Sequence, residues 1–141
     1  MQLTKTLHEG ITINARPSRI WAVLTSPEYS RQYFFDYSIY SSWKEGDDIR
    51  WETEEDGKIL IIKKGRIVNI IPGMFINFII WDSGDSETTA IPTIYEMLTA
   101  DNGIRLTVKQ EIPFCPEPEF KYLQQNWRTM LQKIKWLAEY S

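Results

Sequence analysis

The side chains that usually serve nucleophilic catalysis are scarce in this sequence. A catalytic triad needs a histidine within reach of a serine, cysteine or threonine, and the 141 residues include one histidine, His8, and one cysteine, Cys115. The alternation of apolar and polar residues around His8 places it on the solvent side of a predicted strand. Cys115 follows Phe114 and has no basic residue next to it in sequence, which is typical of a small packed residue rather than a nucleophile. We therefore assign no catalytic residue from the sequence.

Paired carboxylates, phosphate loops and metal clusters are the next candidates, and the sequence favours none of them. Glu52 and Glu54 alternate with Trp51, so a solvated hairpin end is favoured over an acid–base pair. Glu96 also lies at a position of its strand that is predicted to face outward. The seven glycines are scattered along the chain rather than gathered in a phosphate-binding loop. One cysteine and one histidine do not make a usual structural zinc set, so we predict no metal and no cofactor.

Aromatic residues carry the remaining chemical signal. They make up 13% of the sequence and include six tryptophans, and each large ring buries about 150–250 Å². Several fall at the inward-facing positions of a strand or on the apolar face of a helix, where they would line one hollow as apolar walls. Filling the core of a small domain is the alternative for each of them. The predicted ligand-binding residues are Tyr33, Phe34, Trp51, Trp81, Tyr95, Met97, Gln110, Phe120, Gln124 and Trp127.

Gln110 is the most informative polar residue of this set. Its strand alternates apolar residues with charged residues that must face water, so Gln110 points inward and needs a hydrogen-bond partner. Together with Gln124 and Tyr33, it would orient the polar end of a ligand. The end of the second predicted helix carries four aromatic residues that would act as a gate to the hollow: Tyr33, Phe34, Phe35 and Tyr37.

The spacing of apolar residues predicts the elements that must position these side chains. Residues 3–13 alternate as a half-buried strand, and two short helices, each opened by a proline, follow over 17–25 and 27–34. About six strands in hairpins come next, with Gly65 predicted as a bulge. From 117 to 140, apolar residues recur every three or four positions, which predicts one long amphipathic helix over the concave face of an antiparallel sheet. The fold class is α+β.

Length, composition and charge predict one domain over residues 1–141. The 16 basic residues are outnumbered by 19 acidic residues, which gives a net charge of −3 and argues against nucleic acid as a partner. The basic cluster of Lys63, Lys64 and Arg66 is interpreted as a solvated strand face. No apolar run approaches the roughly 20 residues of a membrane span, and the N-terminus lacks the apolar core of a secretory signal. We expect a cytoplasmic protein.

Four motifs occur in order along the chain. They are Ile13-Asn14-Ala15 with Ile20-Trp21-Ala22-Val23-Leu24-Thr25-Ser26-Pro27-Glu28; Trp43-Lys44-Glu45-Gly46-Asp47-Asp48-Ile49-Arg50-Trp51; Gly65-Arg66-Ile67-Val68-Asn69-Ile70-Ile71-Pro72; and Gly103-Ile104-Arg105-Leu106-Thr107-Val108 with Asn126-Trp127-Arg128-Thr129-Met130-Leu131. Together they resemble the START-like, or SRPBCC, superfamily, and within it the branch named after the activator of the heat-shock protein 90 ATPase. They are similar to the opening helices, the tryptophan–glycine–tryptophan strand pair, the strand with a proline turn, and the last strand with the long helix of that branch.

The resemblance covers essentially the whole chain and implies the helix-grip fold of START domains and birch-allergen-like proteins. In that fold, a curved antiparallel sheet wraps around a long C-terminal helix, two short helices follow the first strand, and a cavity between sheet and helix often holds an apolar molecule. Two positions depart from the family's pattern. Asn126 stands where this branch often has glycine, and Gln110 stands where relatives frequently have histidine. Either change alters the shape or polarity of the pocket, so no particular ligand is carried over.

Three functions follow from the residues and the resemblance together. The leading hypothesis is a non-catalytic intracellular protein that binds a small apolar or aromatic molecule in the cavity. The alternative is an interaction module that regulates the ATPase of a chaperone, heat-shock protein 90, and a lesser alternative is an enzyme like the polyketide cyclases and dehydratases. A homodimer is also left open, with Tyr40, Trp43 and Trp136 as candidate contacts.

Overall fold

The computed structural model describes residues 4–140, which form three α-helices and seven β-strands. In chain order the elements are β1 (Thr4–Ile13), α1 (Pro17–Thr25), α2 (Pro27–Tyr33), β2 (Ser38–Ser41), β3 (Asp48–Glu55), β4 (Lys58–Ile71), β5 (Phe75–Asp82), β6 (Ile91–Ala100), β7 (Gly103–Pro113) and α3 (Glu117–Tyr140). A short 3₁₀ turn at Glu87–Thr89 lies between β5 and β6. The predicted helix-grip architecture is confirmed, with two short helices after the first strand and a long helix at the end.

The seven strands form one antiparallel sheet in the order β1-β7-β6-β5-β4-β3-β2. Strands β2 to β7 follow one another as a meander, and β1 pairs with β7 at the far edge. The pairing register of β4 shifts twice, once beside Trp51 in β3 and once between Ile67 and Asn69. Such irregularities bend a strand and increase its twist, so they help the sheet to curve around the helix.

Gly65 lies between the two register shifts, and the prediction that it forms a bulge is wrong. A Cβ atom at this position would lie 2.6 Å from the backbone oxygen of Ile79 and 2.9 Å from the ring of Trp51. Both distances are shorter than van der Waals contact. Gly65 is therefore required because the neighbouring strand and the indole ring approach the backbone closely.

The end of α2 places an aromatic side chain under the helix α3. Ser30 is buried, and its hydroxyl accepts a hydrogen bond from the backbone N–H of Ile39 at 2.8 Å, which fixes the start of β2 against α2. The N–H of Phe34 donates to the carbonyl oxygen of Ser30 at 2.8 Å and closes the last turn. The next two residues, Phe35 and Asp36, have φ angles of 48° and 66°. Two consecutive non-glycine residues with positive φ make this corner strained.

Helix α3 has 24 residues and is about 36 Å long at 1.5 Å per residue. One face is buried against the sheet and α1, as its apolar spacing predicts. Its buried residues are Trp127, Met130, Leu131, Ile134, Leu137 and Ala138. Polar contacts tie its length to β1: Lys5 pairs with Glu117 at 2.9 Å, and Arg128 pairs with Glu9 at 2.8 Å. None of the helices within residues 4–140 is both long and apolar enough to cross a membrane.

Candidate functional site

A cavity of about 230 Å³ lies between the end of α2, the rims of β5 and β6, and the middle of α3. An apolar cavity of about 150 Å³ holds one benzene molecule in another protein, so this one suits a molecule of about nine non-hydrogen atoms. Its lining residues are Phe34, Phe35, Lys63, Ile80, Trp81, Asp82, Asp85, Thr89, Ile91, Gln110, Leu123, Asn126, Trp127 and Met130. Most of these side chains are apolar, and four of them are aromatic.

A chain of hydrogen bonds holds the polar residue at the inner wall of the cavity. The indole N–H of Trp127 donates to Oε1 of Gln110 at 2.9 Å, and Nε2 of Gln110 donates to the hydroxyl of Thr93 at 3.1 Å. Indole is a donor only, so it fixes which end of the amide carries the oxygen. The hydroxyl of Thr93 donates onward to the carbonyl oxygen of Ile91 at 3.2 Å. Gln110 is 7% exposed, which confirms that it points inward and finds partners.

The amide of Gln110 keeps hydrogen-bonding capacity beyond this chain. A primary amide has two N–H donors and two acceptor lone pairs. The contacts to Trp127 and Thr93 use one of each. Gln110 lines the cavity with a second N–H and a second lone pair that these two contacts do not use, and Asn126, directly before Trp127 on α3, adds a second amide to the lining.

Five aromatic rings form a closed circuit beside the cavity. Consecutive ring centroids are 5.9 to 6.2 Å apart, and the pairs are tilted or edge-to-face, which are the favoured geometries for aromatic contacts. The members, in circuit order, are Phe34, Trp51, Phe78, Tyr95 and Trp127. Phe34 and Trp127 face the cavity, whereas the other three lie deeper in the core.

Charged residues stand at the rim of the cavity rather than inside it. Lys63 and Asp82 are cross-strand partners on β4 and β5, and their side chains pair at 2.6 Å. The loop at 83–90 contributes Asp85 and Thr89 to the rim. The rim thus holds one positive and two negative groups, and the apolar walls begin below them.

The interpretation of Lys63 as part of a solvated strand face is corrected by its position. Lys63 lies on the same face of β4 as Gly65 and Ile67, both of which are buried. It is half-buried at the rim, where it pairs with Asp82. Lys64, of the opposite parity, is exposed as predicted.

The structure brings four of the ten predicted ligand-binding residues to the cavity: Phe34, Trp81, Gln110 and Trp127. Tyr33, Trp51 and Tyr95 line a separate inner hollow of about 10 Å³. Met97 is buried in the core on β6 and is not part of either lining. Phe120 and Gln124 are half-buried on the first turns of α3 and do not line the cavity. A ligand role for any of the ten stays a prediction.

Several lining residues escaped the sequence prediction. Leu123 and Met130 lie on the apolar face of α3, and Asn126 departs from the family's glycine, so the sequence did carry signals for these three. Lys63 and Asp82 could be placed only from the register of β4 against β5. Asp85 and Thr89 come from a loop whose path follows no sequence pattern.

The two buried tyrosines are held in the neutral form. Burial raises the pKa of Tyr33 well above its usual value, and the neighbouring Tyr95 adds to this rise. Burial likewise raises the pKa of Tyr95. The hydroxyl of Tyr33 donates to the carbonyl oxygen of Leu24 at 3.1 Å. At neutral pH, both side chains are therefore neutral phenols and not phenolate bases.

Among residues 4–140, no three or more His, Cys, Asp or Glu side chains are clustered as metal ligands. His8 is exposed on β1, as its place in the alternation predicts, and Cys115 is half-buried against the core.

Trp43 is half-buried and also packs against the core, so it is less available for a dimer contact than the sequence suggested. Tyr40 and Trp136 are exposed.

The curved antiparallel sheet, its two short helices and the cavity under the C-terminal helix define a START-like protein of the helix-grip class. The sequence profile of the family described as "Activator of Hsp90 ATPase homolog 1-like protein" matches residues 14–139, and the chain belongs to this family. No curated protein matches the chain significantly.

Solved structures with the same fold cover nearly the whole chain. The solution structure of ChR145 from Cytophaga hutchinsonii is 26% identical, with a TM-score of 0.81 over 99% of this chain and 97% of that one. A protein from Colwellia psychrerythraea, described as an Aha1 dimer, is 14% identical, with a TM-score of 0.76 over 96% of this chain and 97% of that one. Ara h 8.0201 is 15% identical, with a TM-score of 0.73 over 99% of this chain and 100% of that one. The last two show the fold alone.

Proposed function

We propose that this protein binds a small, uncharged apolar or aromatic molecule in the cavity between the sheet and α3, without chemical conversion. The observation that carries the proposal is the cavity of about 230 Å³ with Phe34, Trp81 and Trp127 among its walls. Binding sites for small molecules are typically apolar hollows with a few fixed polar groups. Gln110, held by Trp127 and Thr93, is such a group.

The position of the charges supports an uncharged ligand. Below the rim, the polar lining residues are the amides of Gln110 and Asn126, and neither carries a charge. A buried ion without a partner of opposite charge is costly. A charged substituent would therefore remain at the rim beside Lys63, Asp82 and Asp85, while the apolar body of the ligand enters the cavity.

A cavity-filling variant tests this proposal. Leu123 lines the cavity and is only half-buried, so Leu123→Trp can occupy the space without a large change in the core. Tyr122, its neighbour on α3, is 65% exposed and does not line the cavity, which makes Tyr122→Trp the matched control. Naphthalene binding is measured by calorimetric titration of the three proteins.

We expect the wild type and Tyr122→Trp to bind naphthalene alike, and Leu123→Trp to bind it at least about tenfold more weakly, a difference of about 1.4 kcal/mol. Equal affinity for all three proteins, or no binding to the wild type at millimolar protein, would contradict the proposal. Native mass spectrometry of gently purified protein, compared with its denatured mass, then identifies any molecule that is retained from the cell.

Regulation of a chaperone ATPase is a second candidate, and family membership favours it. A surface that binds a chaperone acts independently of the cavity. Under this alternative, the wild type and Leu123→Trp change the ATPase rate of the cognate heat-shock protein 90 equally. If the wild type leaves that rate unchanged, the candidate is rejected.

For the cyclase alternative, the lining offers ionisable groups only at the rim, and no observation favours it.

Self-association and location complete the proposal. The Colwellia psychrerythraea relative is described as a dimer, and Tyr40 and Trp136 are the exposed rings predicted to serve such a contact here. Light scattering of the wild type against Trp136→Ser measures whether the chain dimerises through α3.

A cytoplasmic location stays a prediction for cell fractionation, and the single cysteine is consistent with a reducing compartment.

A further inference from the structure

A second, smaller hollow lies beyond the cavity, closer to the centre of the core. Its volume is about 10 Å³, close to the smallest space that holds one water molecule or an oxygen atom of similar size. Its lining residues carry no charge: Leu24, Tyr33, Phe34, Ile39, Trp43, Ile49, Trp51, Ile76, Phe78 and Tyr95. We call this space the inner hollow and the larger one the outer cavity.

Trp51, one of the residues that line the inner hollow, has a buried hydrogen-bond donor without an acceptor. Nε1 of Trp51 is the one buried side-chain nitrogen or oxygen without a partner among residues 4–140. The residue is 2% exposed, and its benzene edge faces Gly65, so the N–H edge points away from that strand. Buried donors in folded proteins nearly always have an acceptor, so this N–H is the group of the inner hollow's lining that can donate to an acceptor from outside the chain.

Phe34 separates the two spaces, since it is the one residue that lines both. Its ring contacts Trp127 on the side of the outer cavity and Trp51 on the side of the inner hollow, both at 6.2 Å between centroids. It ends α2 and is followed directly by Phe35 and Asp36 with positive φ. Strained backbone of this kind is concentrated at ligand clamps and gates.

We propose that the ligand is a neutral aromatic carbonyl compound, whose ring occupies the outer cavity and whose carbonyl oxygen passes Phe34 to accept a hydrogen bond from Trp51 Nε1–H. This inference rests on the proposed function and adds the chemical class of the ligand. The size of the inner hollow suits a single oxygen atom. Its uncharged lining disfavours a carboxylate, because no cation is present there to pair with one.

Nuclear magnetic resonance of the tryptophan indole N–H groups tests the inference on the full chain. The two probes are acetophenone and α-methylstyrene, which share a trigonal side-chain carbon and differ in that a methylene group replaces the carbonyl oxygen. The Trp51 signal is assigned by its loss in Trp51→Phe. Trp81 and Trp127 line the outer cavity, so their signals report occupation of that space alone.

We expect both probes to move the Trp81 and Trp127 signals, and acetophenone alone to move the Trp51 N–H proton downfield as it gains an acceptor. A Trp51 signal that stays fixed, or that moves equally with both probes, overturns the inference and leaves the proposed function standing. If neither probe moves any of the three signals, the proposed function fails and the inference fails with it.

Variants of the separating residue give an independent measurement. Removing the ring in Phe34→Ala joins the two spaces, and we expect acetophenone to bind about tenfold more tightly, because less of the protein is in a closed form. Tyr122→Ala, on the exposed side of α3, is the control and leaves the affinity unchanged. Weaker or equal binding by a folded Phe34→Ala variant would contradict the passage of the ligand's oxygen past Phe34.

Discussion

Gln110 decides whether Trp127 keeps a hydrogen-bond acceptor inside the core. Gln110→Leu preserves much of the volume but leaves the Trp127 N–H and the Thr93 hydroxyl without this partner. A buried polar group that loses its partner costs about 1–3 kcal/mol. We expect urea unfolding to show a loss of that size, with no such loss for Gln125→Leu, since Gln125 is exposed on α3, the helix that carries Trp127. A neutral Gln110→Leu would mean that the indole finds another acceptor.

Glu139 links the C-terminal turn of α3 to the start of α1 and makes stability depend on pH. The pKa of Glu139 is lowered by a hydrogen bond from Lys135 and then by one from the backbone N–H of Asn14. A carboxylate whose folded pKa is depressed stabilises the fold above its unfolded pKa, about 4.3 for glutamate, and this contribution is lost as pH falls through the folded pKa.

Glu139→Gln should therefore be less stable than the wild type at pH 7, by about 1 kcal/mol after solvent screening, and the difference should shrink to nothing in acid. The measurement is chemical unfolding of both proteins from pH 7 down to pH 3. Glu55→Gln at the exposed end of β3 is the control and should show no such trend. A difference that grows in acid would reverse the sign and reject the explanation.

Strand β4 shows how one glycine can fix the packing of a whole element. Alanine at Gly65 would press on the backbone oxygen of Ile79 and on the ring of Trp51, and overpacking of this kind costs about 1–3 kcal/mol. Gly84 lies in the loop after β5, where an added Cβ atom would meet open space, so Gly84→Ala is the matched control. We expect Gly65→Ala to lower the midpoint of thermal unfolding and Gly84→Ala to leave it nearly unchanged; equal effects would contradict this explanation of Gly65.

The elements themselves were largely predictable, because local rules determine them. Proline at the first turn sets the starts of α1 and α2, and spacing of three and four sets α3. The contacts between elements were less predictable. The alternation of residues along the strands correctly predicted that Trp51 and Tyr95 point inward. The position of Phe34, which separates them from the outer cavity, depends instead on the corner after α2. The pairing of Lys63 with Asp82 depends on the register that follows a shift in β4.

At the scale of the whole molecule, the cavity exists because no single element can close it. The sheet curves away from α3, α2 closes one side with Phe34, and the loop at 83–90 closes the rim. That loop is tied to β4 by the pair of Arg66 with Glu87 at 2.5 Å, and exposed ion pairs of this type contribute little stability. The loop is also joined to β4 by a hydrogen bond from the Ser83 N–H to the carbonyl oxygen of Ile62 at 3.0 Å. The rim carries the exposed side chains of Asp82 and Asp85, and it is the route by which we expect a ligand to pass.

Binding in this cavity should stabilise the whole fold, because the unfolded chain has no such space. A ligand that binds only the folded state at ten times its dissociation constant adds about 1.4 kcal/mol. Naphthalene at that concentration should therefore raise the urea midpoint of the wild type and of Tyr122→Trp without changing the slope of the transition. Leu123→Trp, with the space filled, should show no increase at the same concentration. An equal increase in all three proteins would indicate binding elsewhere on the surface, since the cavity is filled in Leu123→Trp.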